Sequence, residues 1–227
     1  MPKLTWLSHA TFLLEHGDKR VIIDPFLTGN PKAAMQSRDV PKLDAVLLTH
    51  GHGDHIKDAV PLATRDKCVV VAATELAKFC AAKGAPSTHP LGIGGGHDFP
   101  FGRVQLVVAL HGGTVDGDET GKFTTQAAGL IVTVGGVRIY HAGDTALTMD
   151  MQLLEGKVDV MLVPIGDNYT MGPEDAARAV AFVKPKTAIP MHFGTFPLIE
   201  VDPHRFVKAV GTTAKVVVMQ IGDTLEL

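Results

Sequence analysis

Short apolar and β-branched runs separated by turn residues dominate the first third of the chain. Lys3–Leu7, Thr11–Leu14 and Arg20–Ile23 read as strands, with Gly17-Asp18 as a turn between the last two. Asp44–Leu48 is an apolar run bounded by polar residues, the pattern of a strand covered on both faces. Helical spacing then begins to alternate with strands. Thr74 is placed to cap a helix running to about Lys83, with Gly84 as its stop. The clearest helix spans Pro173 to Val183. Proline suits its first position, Glu174 and Asp175 favour the positive end of its dipole, and Lys184-Pro185 ends it. Ala176, Ala177, Val180 and Ala181 form its apolar stripe. Further strands are expected at Arg103–Ala109, Gly129–Val134, Val137–His141, Val158–Val163, Thr187–Pro190 and Lys215–Gln220. Strands in both halves with helices between them imply two packed sheets with helices outside, an α/β fold.

Bulk composition narrows the class. The 227 residues contain 45% apolar side chains, enough to cover both faces of a sheet, and suit one domain over residues 1–227. The longest apolar runs, such as Val69–Ala73 and Val158–Pro164, are far too short to cross a bilayer, so no membrane insertion is expected. The N-terminal residues lack the charged-then-apolar pattern of a signal peptide, which makes the cytoplasm the expected location. Two cysteines, Cys68 and Cys80, do not make a disulfide framework and read as buried thiols. A formal charge of −3, with no run of Lys or Arg longer than two, offers no footprint for nucleic acid. The unusual figure is eleven histidines, several of them in sharp Gly- and Asp-rich clusters.

The densest cluster is Thr49-His50-Gly51-His52-Gly53-Asp54-His55, which directly follows the buried strand Asp44–Leu48. Two imidazoles two residues apart can converge on one ion from a tight turn, and the intervening glycines permit unusual dihedrals. A second ion can take Asp54 and His55 from the far side of the turn. Burying so many imidazoles and a carboxylate together is costly unless something coordinates them. The strand end is also where α/β folds place their sites.

The motif resembles the His-x-His-x-Asp-His signature of the metallo-β-lactamase superfamily. Other motifs of that superfamily follow in order: His111 after a strand, Asp144 in His141-Ala142-Gly143-Asp144-Thr145, and His192 in Pro190-Met191-His192-Phe193-Gly194-Thr195. Trp6-Leu7-Ser8-His9-Ala10-Thr11, Asp24-Pro25-Phe26 and Ile165–Asp175 extend the likeness to the "metal-dependent hydrolase" branch, similar to L-ascorbate-6-phosphate lactonase. The resemblance implies a four-layer αββα sandwich with the metals at one edge. It implies two divalent ions, one on His50, His52 and His111 and one on Asp54, His55 and His192, with Asp144 bridging them. All these donors are nitrogen or oxygen, so zinc is the first expectation, with manganese or iron chemically reasonable. A water between two such ions loses its proton near neutral pH, and the bridging hydroxide attacks a small ester, lactone or phosphodiester. The expected partner is thus a small-molecule substrate; the oligomeric state is left open.

Asp54 and His9 are the expected catalytic residues. By resemblance His9 approaches the metals from the other half of the sandwich, to orient a ligand or protonate a leaving group; a buried hydrogen-bonded core histidine is the plain alternative. Asp24 is either an acceptor behind the metal turn or a cap before Pro25. His141 reads as structural or as a residue behind the metal ligands, and His16, His89, His97 and His204 as surface or packing residues. Gly112–Gln126, with four glycines and three acidic residues, is a lid, a specificity loop or a disordered excursion. Asn168, Tyr169 and Thr170 are placed to line the pocket, and the helix end behind them could bind a substrate phosphate or carboxylate. The alternative function is a mononuclear-iron oxidoreductase of the persulfide dioxygenase type. Such relatives do not need second-site ligands, and here Asp54, His55 and His192 are all present. The helical C-terminal domain of the glyoxalase II type, the long insertions or basic arms of RNA-processing branches, and the signal peptide of secreted β-lactamases are not found in this sequence.

Overall fold

The computed structural model describes residues 1–227. Its first sheet contains β1 (Lys3–Ser8), β2 (Thr11–His16), β3 (Lys19–Ile23), β4 (Ala45–Leu47), β5 (Val69–Ala73) and β6 (Ser87–Leu91). The second contains β7 (Gly96–Phe99), β8 (Gly102–Val108), β9 (Ala128–Val134), β10 (Val137–His141), β11 (Val160–Pro164), β12 (Thr187–Met191) and β13 (Lys215–Val216). A last strand, β14 (Thr224–Glu226), returns to pair antiparallel with β1. The orders are β14-β1-β2-β3-β4-β5-β6 and β13-β12-β11-β10-β9-β8-β7, and both sheets mix parallel and antiparallel pairs. Five α-helices, with three short 3₁₀ helices, complete the chain: α1 (Gly53–Ile56), α2 (Ala59–Asp66), α3 (Thr74–Ala82), α4 (Pro173–Val183) and α5 (Pro203–Val210).

Strand alternation generates the layers. Phe12 and Leu14 on β2, and Val21 and Ile23 on β3, face Val104, Leu106, Leu130 and Val132 of the opposing sheet. Their neighbours Leu13 and Ile22 point the other way, into a second core with Leu62 of α2 and Leu76 and Phe79 of α3. Behind the second sheet, Tyr140, Met161 and Val163 pack on Ala176, Val180 and Val183 of α4 and Phe206 of α5. The result is the αββα sandwich expected.

Most elements lie where the pattern placed them, and α4 matches its expected bounds. Three differences have physical causes. Thr74 is not a cap: β5 runs directly into α3, Ala73 takes the N-cap position, and the Thr74 hydroxyl instead donates to the Leu91 carbonyl at 3.4 Å. The strand expected over Lys215–Gln220 stops at Val216. There the chain leaves the second sheet, and a turn closed by Asp223 N–H donating to the Gln220 carbonyl (2.9 Å), with Gly222 at φ 93°, directs it to β1. Helices α1, α2 and α5 are not among those expected: α1 has only four residues, whereas α5 carries the cap and proline start that mark such a helix, Asp202 accepting His204 N–H with Pro203 at its first position.

Cys68 and Cys80 are both buried behind the first sheet, as expected. Burial pushes their thiols up to about 11 and about 12 respectively. Because the thiolate is the reacting species, neither should react with Ellman's reagent at pH 8 in native protein, whereas both should react in urea. Rapid native labelling of either would contradict this packing.

Candidate metal centre

Strand ends from both sheets meet along one edge of the sandwich. The first sheet brings the β1–β2 turn with His9, the end of β3 with Asp24, and the segment Thr49–His55 after β4. The second brings His111 after β8, Asp144 after β10 and His192 after β12.

The turn after β4 is held from outside. A Cβ on Gly51 would lie 2.8 Å from the Thr114 carbonyl and 2.8 Å from Val115 Cγ2, so only glycine lets the two segments approach. Gly53 opens α1, and its N–H donates to Asp116 Oδ2 at 2.7 Å. Residues 112–126 are therefore an ordered flap against the turn and not a free excursion. Asp116 N–H also donates to the Gly51 carbonyl (2.8 Å), Val115 is buried, and Phe123 packs edge-on against Phe79 at 5.5 Å.

Two groups of donors result. His50 Nε2 lies 3.1 Å from His52 Nδ1, which lies 3.3 Å from His111 Nε2. Two nitrogens on a tetrahedral ion with ~2.0–2.1 Å bonds stand about 3.3 Å apart, so this spacing is that of a ligand set. Asp54, His55 and His192 form the second group, and His9 joins it. Asp144 sits between the groups: Oδ1 is 3.3 Å from His55 Nε2, and Oδ2 is 3.1 Å from His192 Nε2, 3.5 Å from His111 Nε2 and 3.9 Å from His50 Nε2. His55 Nε2, Asp144 Oδ1 and both ring nitrogens of His192 are buried without a hydrogen-bond partner. Buried orphans of this kind are rare in folded proteins and fit a bound cation.

The protonation states agree. Burial, and then the neighbouring His55, hold His50 well below its ordinary value; burial likewise lowers His111. Burial alone would raise Asp144, but His192 and His55 hold it well below the usual carboxylate range. Burial also opposes charge on His55, yet Asp144 and Asp24 on either side outweigh it and raise its pKa well above normal in the protein alone. An ionised Asp144 beside neutral His50 and His111 is the donor form that a divalent ion requires, and His55 would give up its proton on binding one.

A second layer fixes these groups. Asp24 is the acceptor behind the turn: it takes Thr49 N–H at 2.8 Å, Thr49 O–H at 2.6 Å and His55 Nδ1–H at 2.8 Å. That bond leaves His55 Nε2 facing Asp144. His9 is fully buried, with Nε2 3.1 Å from Asp54 Oδ2 and Nδ1 2.9 Å from Thr195 Oγ1. His141 is structural: its Nε2 donates to the Ala10 carbonyl at 2.8 Å, and its Nδ1 accepts Gly143 N–H at 3.1 Å. Thr49 and Thr195 stand inside the histidine motifs, and Asp116 inside the Gly112–Gln126 segment, but no individual role was read for any of the three from sequence. His16, His89, His97 and His204 belong to neither donor group.

This edge is that of a known class. The profile of the β-lactamase superfamily domain matches residues 3–192, and the chain belongs to that superfamily. Within it, a UPF0173 metal-dependent hydrolase from Bacillus cytotoxicus is 47% identical over 99% of this chain and 100% of its own length. The chain is accordingly a metal-dependent hydrolase of that superfamily. Among solved structures, Igni18, a metallo hydrolase from Ignicoccus hospitalis, superposes with a TM-score of 0.89 at 32% identity, covering 100% of this chain and 99% of its own. A putative metal-dependent hydrolase from Parabacteroides distasonis shares the fold at a TM-score of 0.76 and 24% identity, over 96% and 92% of the two chains. The names of these relatives state a chemistry and no substrate.

Asp24→Ala would strand the Thr49 donors and the buried His55 together. In chelator-treated protein it should cost roughly 3–5 kcal/mol of unfolding free energy, the scale for breaking a buried charge pair. Urea denaturation measures this, and a loss below about 1 kcal/mol would show that Asp24 does not organise the turn.

Proposed function

We propose that the chain is a dinuclear hydrolase that cleaves a small ester, lactone or phosphodiester. His50, His52 and His111 would hold one divalent ion, and Asp54, His55 and His192 the other, with Asp144 shared. Zinc suits this nitrogen- and oxygen-only set first, with manganese or iron compatible. The observation that supports the reading best is the buried Asp144 carboxylate, within 3.9 Å of imidazoles from both groups and with one oxygen unpaired. Two ions in such a centre would lower the pKa of a bound water and polarise the electrophile.

The chain's own residues set the geometry. His9 lies beside the centre but on the same sheet as the His50–His55 turn, not on the other half of the sandwich as expected, and we assign it as an organiser instead of a proton donor. Burial and the neighbouring His192 press it down to about 4 despite Asp54, so it is neutral at pH 7. Asp54, which burial alone would raise, is held low by the His9 hydrogen bond and by His55, and so is ionised. The neutral ring therefore donates Nε2–H to Asp54 Oδ2 and accepts the Thr195 hydroxyl at Nδ1. Its only N–H is committed to aiming Asp54, and no proton is left for a leaving group.

Metal-reconstituted protein should contain close to two ions per chain by elemental analysis and turn over members of an ester, lactone and phosphodiester panel. Asp144→Ala should lose one ion and nearly all turnover. A firm ratio of one iron with oxygen uptake would replace this reading with the persulfide-dioxygenase type.

His9→Gln should weaken metal binding by about 10–100-fold, the usual effect of losing an outer partner. It should slow alkyl and nitrophenyl esters alike. A loss confined to the poor leaving group, with metal affinity intact, would restore the general-acid role.

A further inference from the structure

The loops that carry His111, Asp144 and His192 also carry an unusual set of exposed apolar side chains. Leu110 (63% exposed) directly precedes His111, and Met149 (65%) ends the loop after Asp144. Tyr169 (54%) lies on the loop after β11, and Leu198 (65%) on the loop after His192. These four account for half of the eight large hydrophobic residues exposed on the whole chain. The loops are laced together at the centre. Leu110 N–H donates to Thr145 Oγ1 at 3.0 Å, Ala146 N–H to the Leu110 carbonyl at 3.0 Å, and Met171 N–H to the Thr145 carbonyl at 3.2 Å.

Cations are nearly absent from the same edge. The segments 109–127, 142–149, 165–172 and 192–202 contain no arginine and one lysine, Lys122, against Asp116, Asp118, Glu119, Asp167, Glu200 and Asp202 outside the donor groups. Lys57, which follows the turn in sequence, lines a separate groove with Arg38 and Arg65. The start of α4 is not open to an anion either. A Cβ on Gly172, its N-cap, would lie 3.2 Å from the Asp167 carboxyl carbon, so that carboxylate already stands over the helix end. Phosphate recognition ordinarily rests on arginine and lysine, and a phosphorylated substrate would meet mostly carboxylates here.

Resting on the hydrolase reading, we infer that the substrate presents an uncharged, apolar acyl or aryl group to a rim formed by Leu110, Met149, Tyr169 and Leu198, and bears no phosphate. Water released from the rim supplies the affinity, so binding scales with apolar area and not with charge. The phosphodiester members of the candidate panel, and phosphorylated lactones, are thereby set aside in favour of neutral esters and lactones.

Binding of alkyl hydroxamates to metal-reconstituted full-length protein, followed by calorimetry, tests this without relying on turnover. Affinity should rise by roughly two- to fourfold per methylene from acetohydroxamate to octanohydroxamate. A hydroxamate with a phosphonate tail should bind no better than acetohydroxamate. Leu110→Ser and Leu198→Ser, both at exposed positions, should cause losses that grow with tail length, to roughly tenfold for the octanoyl probe. Tail dependence observed while every ester and lactone stays intact would sustain the rim and sink only the hydrolase reading. Affinity indifferent to tail length, an absence of binding, or preference for the phosphonate would overturn the proposal. A change of oligomeric state in the serine variants would overturn it too, assigning the rim to a second copy of the chain.

Discussion

A carboxylate buried among imidazoles is the constraint on which the rest of this molecule depends. Asp144 is 2% exposed, so its charge is almost wholly cut off from bulk solvent. An uncompensated charge there would be prohibitively costly, so the fold surrounds it with His55, His192, His111 and His50. Compensation then propagates outward. His55 needs an acceptor for its other nitrogen and finds Asp24, and Asp24 is itself satisfied by Thr49. Each layer of polar groups is stable only because the next one out is in place.

That arrangement is inherently shared between the sheets. His50, His52, Asp54 and His55 follow a strand of the first sheet, whereas His111, Asp144 and His192 follow strands of the second. Neither sheet assembles either donor group alone. The apolar layer between the sheets, with Leu4, Phe12, Ile23, Leu106 and Leu130 at its centre, therefore does more than stabilise the fold: it sets the distance across which the donors face one another.

Backbone strain is concentrated at the same edge. Ser8, His9, Asp24 and His192 all have positive φ although none is glycine, and each such position costs about 1 kcal/mol or more. The surrounding bonds hold them there. The His9 carbonyl accepts both Trp6 Nε1–H and His192 N–H at 3.0 Å, and the Asp24 carbonyl accepts the Thr11 hydroxyl at 2.7 Å. Side chains on such locked backbone have little freedom left, which is what a preorganised polar site requires.

The chemistry of the centre was legible along the chain because its donors are written locally. His50 to His55 occupy six consecutive positions after a buried strand, and His111, Asp144 and His192 each follow a strand whose apolar period is visible. The αββα class was equally readable, since alternation on one set of segments and helical spacing on another leave few ways to cover all the faces. The functions of Asp24, His9 and Asp116 depended on the tertiary structure. Asp24 meets its partners 25 and 31 positions away, His9 meets Thr195 across 186, and Asp116 reaches Gly53 across 63. No local period encodes contacts of that range. The apolar rim was mostly hidden for the same reason: Tyr169 was placed at the pocket from sequence, but Leu110, Met149 and Leu198 are single hydrophobic residues in separate loops that no local pattern marks. The strand order of the second sheet ends β8, β10, β11 and β12 on the same edge, which gathers the four loops there and leaves these side chains in water.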